Sequence, residues 1–134
     1  MTGPYKKSDF NRPLMPLLPM PELSERVSVS QAYTAAEFKK ISYGYLSWDM
    51  DMRWDIFLEG NKLYIHRSWT GRCIYIIEFT VHTEGAEATN ITINRDPDQL
   101  KIRPISEALE TAFWVLKELL IEDVWKRLPE DWVD

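Results

Sequence analysis

Side chains alternate between apolar and polar along four runs in the middle of the chain. In residues 53–59, Trp54, Ile56 and Leu58 stand opposite Asp55, Phe57 and Glu59. In residues 61–66, Leu63 and Ile65 stand opposite Lys62, Tyr64 and His66. Residues 72–81 place Cys73, Tyr75, Ile77 and Phe79 opposite Arg72, Ile74, Ile76 and Glu78, and residues 87–94 form a fourth run. A period of two is the signature of strands with one face toward a core. The third run is apolar on both faces, which predicts a central strand whose second face is partly covered. The N-terminal arm and a short helix are the candidates for that cover. Turn signals separate the runs: Gly60-Asn61, residues 68–71 with Gly71 free to take positive φ, and Glu84-Gly85. Hairpin upon hairpin predicts an antiparallel four-stranded meander.

After Pro104 the period changes. Ile105, Ala108, Leu109, Ala112, Phe113, Leu116, Leu119, Leu120 and Val124 recur at three- and four-residue steps, while Glu107, Glu110, Lys117 and Glu118 lie off that stripe. This predicts a long C-terminal helix over 105–126, packed on one face of the sheet. A short N-terminal helix is predicted over 34–41. Thr34-Ala35-Ala36-Glu37 reads as a capping box, and Gly44 ends the helix. Five of the eight prolines fall in the first thirty residues: Pro4, Pro13, Pro16, Pro19 and Pro21. Proline removes a backbone donor and disfavours helix before it, so this segment reads as an extended arm. Leu14, Met15, Leu17, Leu18 and Met20 make it too apolar for a plain linker. It covers apolar surface of its own domain, or it docks on a partner or a second copy, which leaves a homodimer through the arm open. The predicted fold is α+β, with a Pro-rich arm over 1–30 and a single domain over 31–134.

Composition narrows the classes. At 134 residues the chain suits one domain with a real core. A net charge of −5 argues against a general nucleic-acid binder, though not against a local basic patch. One cysteine, Cys73, makes no internal disulfide and fits a reducing compartment. No apolar run reaches the roughly 20 residues of a membrane helix, and the N-terminus lacks a signal-peptide core. The expected location is cytoplasmic.

The densest chemistry sits in His66-Arg67-Ser68-Trp69-Thr70-Gly71, at a strand end and tight turn. A guanidinium beside turn amides and hydroxyls makes an anion site, and an indole beside it can stack on a base or sugar. Arg67 and Arg72 are assigned to phosphate, Ser68 and Thr70 to hydrogen bonds, and Trp69 or Tyr64 to stacking. The structural alternative pairs Arg67 with Asp55 or Glu78, sets the turn with Ser68 and Thr70, and packs Trp69 under the arm. Arg53, Lys62, Arg67, Arg72, Arg95, Lys101 and Arg103 run through the sheet region, which points to a basic surface on an acidic chain. No phosphate loop, dinucleotide fingerprint or nucleophile elbow is present. One Cys and two His argue against a zinc site, and Asp49, Asp51 and Asp55 lack calcium-loop spacing. No metal or cofactor is therefore assigned. No catalytic residue is assigned either. His66 is the one candidate, as an acid or base working with Asp55 or Glu78.

Residues 33–38, Trp54-Asp55-Ile56-Phe57 and Leu63-Tyr64-Ile65-His66-Arg67-Ser68-Trp69-Thr70-Gly71-Arg72-Cys73-Ile74-Tyr75 resemble a family of small bacterial domains of unknown function. The signature is an aromatic strand, His-Arg-Ser-Trp-Thr-Gly and then Cys-Ile-Tyr, over about residues 33–80. The resemblance implies company with enzymes that handle ADP-ribose. It supplies no catalytic residues, and the Pro-rich arm lies outside the signature. The expectation is a non-catalytic binding module for an anionic, nucleotide or ADP-ribose-like ligand. The alternatives are a protein–protein module of the immunity or antitoxin kind, and a small hydrolase or transferase using His66.

Overall fold

The computed structural model describes residues 7–11, 13–47 and 51–122. It is an α+β fold built on a five-stranded antiparallel sheet. The strands are β1 (Ser24–Thr34), β2 (Trp54–Glu59), β3 (Lys62–Arg67), β4 (Cys73–His82) and β5 (Gly85–Asn94), in spatial order β1-β5-β4-β3-β2. Strands β2 to β5 follow one another as neighbours. β1 joins beyond β5, pairing from Ser24↔Asn94 to Thr34↔Gly85. The expected sheet of four strands is thus one short. β1 also crosses the boundary at residue 30 that the prolines suggested, so the N-terminal region contributes a strand to the domain itself.

Two helices lie on one face. α1 (Ala35–Tyr43) begins directly at the end of β1. The Thr34 hydroxyl accepts from the Glu37 amide at 3.1 Å, and the Glu37 carboxylate accepts from the Thr34 amide at 2.9 Å. Thr34→Ala is expected to cost about 1 kcal/mol, read as a lower midpoint in urea with unchanged m-value. α2 (Ile105–Val115) starts at Pro104 and runs on into a π-helical stretch, Leu116–Glu122. The predicted continuation to Lys126 and the acidic tail lie outside the described residues, as do Pro4 and Asp49.

The core lies between the sheet and these helices. Ile56, Leu63, Ile65, Ile77, Ile91 and Ile93 from the sheet meet Ala112, Val115, Leu116 and Leu120, all fully or almost fully buried. Each such aliphatic side chain contributes roughly 1.5–3 kcal/mol on burial. Ile41 of α1 joins the same cluster, and Phe38 meets the Phe79 ring edge-on at 5.2 Å. α1 therefore shares the face of α2 and does not cover the opposite one.

The opposite face is divided. Toward β1 it is polar, with Arg26 clasping Glu78 through two bonds of 2.9 and 3.0 Å. Toward β2 it carries Phe57, Tyr64 and His66, and here the N-terminal arm crosses. Phe10, in a 3₁₀ turn (Lys7–Asn11), packs on Phe57 with ring centroids 5.3 Å apart. One bulge changes the expected alternation. His66 pairs with Cys73 while Ile65 pairs with Tyr75, so Ile74 is the extra residue. Cys73 moves to the His66 face, and Ile74 turns inward beside Tyr75.

Candidate functional site

The end of the sheet where β3 meets its turn opens into a cavity of about 390 Å³. The N-terminal half of α2 and the loop of residues 95–103 close its other sides. Its volume lies within the range usual for small-molecule sites, roughly 300–1,000 Å³. Among the described residues, four cationic side chains line it, Arg67, Arg95, Lys101 and Arg103, and no carboxylate does. On a chain of net charge −5, that segregation is a property of the fold.

Arg67 is the centre of the arrangement. It is the last residue of β3, directly opposite Trp54 at the start of β2. Cross-strand neighbours sit about 5 Å apart, and the guanidinium carbon lies 4.9 Å from the Trp54 ring centroid. The stacking holds the guanidinium plane while leaving its N–H edges available. No acidic side chain among the described residues pairs with it. Burial lowers its pKa, the nearby charge of Arg53 adds to that, and the Tyr75 hydroxyl opposes it. A half-buried cation without a counter-ion is costly unless an anion arrives. Tyr75 lies on the floor beside Thr111, its own pKa raised by burial and drawn back by Arg67, Thr111 and Arg103.

The loop wall is fixed by hydrogen bonds. Arg72 donates to the Gln99 carbonyl at 2.9 Å. Asn94 donates to the Gln99 side-chain oxygen at 2.8 Å and to the Cys73 carbonyl at 2.9 Å. Arg95 donates to the Arg103 carbonyl at 2.7 Å. Its contact with Glu25, at 3.9 Å, and that of Arg103 with Glu107, at 3.8 Å, are loose exposed pairs that contribute little. Lys101 has no acidic partner among the described residues.

The six residues assigned to a ligand from the sequence separate in space. Arg67, Trp69 and Thr70 line the cavity, and Trp69 is 48% exposed at its mouth. Thr70 also accepts from the Arg72 amide at 3.2 Å, setting the turn. Ser68 is fully buried and donates to the Met52 carbonyl, a clasp between the turn and the approach to β2. Arg72 positions the loop wall. Tyr64 is on the other face, stacked on Phe57. Trp54, Tyr75, Gln99 and Thr111 line the cavity without having been singled out. Of the seven basic residues noted along the sheet region, Arg67, Arg95, Lys101 and Arg103 converge. Lys62 is at the far end of β3, opposite Glu59.

His66 occupies a different environment. It is 3% exposed, stacked on Phe57 at 5.7 Å, with Nε2 donating to the Leu18 carbonyl of the arm at 3.2 Å. Burial lowers its pKa to about 4, and the Leu18 and Asp55 backbone carbonyls oppose this only in part. Asp55, its cross-strand partner, is fully buried and accepts from the Ser47 amide and hydroxyl at 2.7 and 2.8 Å. Burial raises the Asp55 pKa, and the Ser47 bonds oppose it. Glu78 is taken up by Arg26.

The His66 shift has a pH consequence. The unfolded chain takes up the proton near pH 6.5, the folded chain only near 4. His66 therefore costs no stability above about pH 6.5, and about 3 kcal/mol is lost progressively as pH falls to 4. Asp55 shifts in the opposite sense, so the test is a difference. Wild type minus His66→Phe in denaturation midpoint is expected to fall between pH 6.5 and 4, and a flat difference refutes the assignment.

Burial also pushes the Cys73 thiol up to about 12, which makes it an unreactive core group. Among the described residues, no group of three His, Cys, Asp or Glu could hold a metal ion. No described helix is long and apolar enough to cross a membrane. No family model, curated protein or solved structure matches the chain.

Proposed function

We propose that the protein is a non-catalytic module that binds an anionic small molecule of the nucleotide or ADP-ribose class in the cation-lined cavity. The observation that carries this reading is Arg67: half-buried, over the Trp54 ring, and, among the described residues, without an acidic partner in a wall of four cations and no carboxylate. Charged hydrogen bonds from a planar guanidinium suit phosphate oxygens. Trp69 at the mouth offers a face for a base. The family resemblance over residues 33–80 favours ADP-ribose within that class, and the overall charge disfavours nucleic acid.

Calorimetry tests this with AMP, ADP, ADP-ribose and inorganic phosphate. Binding in the micromolar range by at least one nucleotide, stronger than by phosphate alone, is the expected result. No heat from any of them, at protein well above micromolar, refutes the proposal.

A protein-binding role is the second reading, favoured by Trp114. It stands 58% exposed on α2 beside Phe113 and Ile121. Exposed indoles anchor many protein interfaces.

A further inference from the structure

The sheet face turned away from the cation-lined cavity carries a groove of different chemistry. Phe57 stacks on Tyr64 at 5.0 Å between ring centroids with the planes 11° apart, and on His66 at 5.7 Å and 13°. Phe10 adds a further ring against Phe57. Aromatic walls of this kind are the surfaces on which polyproline II segments dock, because an extended proline-rich chain loses little entropy on binding. The groove already holds a proline-rich segment. Pro13, Pro16 and Pro19 line it at three-residue intervals, with the chain bending at 13–15 and free of regular structure over 16–20. The segment's backbone is captured at both polar groups of one residue. The Leu18 amide donates to the Gly71 carbonyl at 2.8 Å, and the Leu18 carbonyl accepts from His66 Nε2 at 3.2 Å.

The fit is incomplete. A cavity of about 530 Å³ is left beside the arm, lined by these prolines together with Phe57, Tyr64 and His66, while Leu14, Met15 and Leu18 are exposed. We infer that this face is a docking groove for a proline-rich segment of a partner protein, with prolines three residues apart and aliphatic residues between them, and that residues 13–21 occupy it in cis. A second copy of the chain is a poorer occupant. Its arm would make the same contacts as the resident arm, which is tethered at a local concentration on the order of millimolar. A foreign segment that fills the open volume gains contacts the resident arm lacks.

The probe is a fluorescein-labelled peptide of residues 13–21, titrated with full-length protein and read by anisotropy. Leu17 lines the groove, so Leu17→Asp unseats the arm. The peptide is expected to bind this variant at least ~10-fold more tightly than wild type, because the tethered competitor is gone. Tyr64→Ala in that background is expected to lose the same factor. A scrambled peptide of equal composition, without the three-residue proline spacing, is also expected to bind at least ~10-fold more weakly than the native order. Thermal melts establish that the variant is folded. If Leu17→Asp does not fold, the double change Pro16→Gly and Pro19→Gly loosens the arm without a charge and takes its place. A folded, unseated variant that binds neither peptide, or both equally, overturns the inference. So does a wild-type dimer that Leu17→Asp converts to monomer, because the occupant is then a second copy.

Discussion

Arg67→Glu is expected to abolish nucleotide binding, weakening it by at least ~100-fold. A hydrogen bond to a charged group contributes about 1.5–3 kcal/mol, and the substitution also places a negative charge against the phosphate. A loss of ~2.7 kcal/mol already corresponds to 100-fold in Kd. Stability should change little. Arg67 has no acidic partner among the described residues, and its stacking on Trp54 contributes about 0.5–1 kcal/mol. Arg67→Lys separates charge from shape: it keeps the cation, loses the planar fork and the stacking, and is expected to cost about tenfold. The measurement is calorimetry with the tightest nucleotide, beside a thermal melt of each variant. Unchanged affinity in Arg67→Glu places the ligand elsewhere. A large loss of stability instead makes Arg67 a structural residue.

Gly71→Ala is expected to be the most damaging substitution in the turn, at roughly 2–4 kcal/mol. Two effects add. Gly71 has φ +75°, where a side chain is strained, and a Cβ there would overlap the Pro16 carbonyl oxygen. The arm must lift or the turn must distort. Gly60→Ala is the control. It has a similar φ of +62° but nothing within 4 Å of the added carbon, so it should cost only the strain, about 1–2 kcal/mol. Urea denaturation gives both values, and hydrogen exchange at the Leu18 amide reports whether the arm has lifted. If Gly71→Ala costs no more than Gly60→Ala, the arm is not seated on this turn. Because Trp69 and Thr70 of the same turn line the cavity, the variant should also weaken the nucleotide bound there.

Several elements could be read directly along the chain. The alternation in residues 53–66 assigns Ile56, Leu63 and Ile65 to the core, where they are buried, because pleating sends alternate side chains to opposite faces. The stripe after Pro104 gives α2 its buried Ala108 and Ala112 for the same kind of reason, while the equally buried Val115 was not on it. β1 escaped this reading. Val27 and Val29 alternate with polar residues, but as an edge strand it has a mostly exposed sequence, and it follows a proline-rich segment that reads as an arm. The Ile74 bulge was also illegible, since a register shift is a property of two strands and not of one.

The candidate site divides in the same way. The sequence determined that Arg67, Trp69 and Thr70 share a strand end and turn, because they are neighbours in a segment whose glycine takes positive φ. It also determined that basic residues crowd the sheet region of an acidic chain. Only the tertiary structure decided which of them meet. Hairpin pairing sets Trp54 beneath Arg67, and the loop pinned by Arg72 and Asn94 brings Arg95, Lys101 and Arg103 to the same opening. It also sends Ser68 inward, whereas the alternation along the strand had already set Tyr64 and His66 opposite Leu63 and Ile65. The physical reason is that local chemistry is set by chain neighbours, whereas convergence depends on strand register and loop closure.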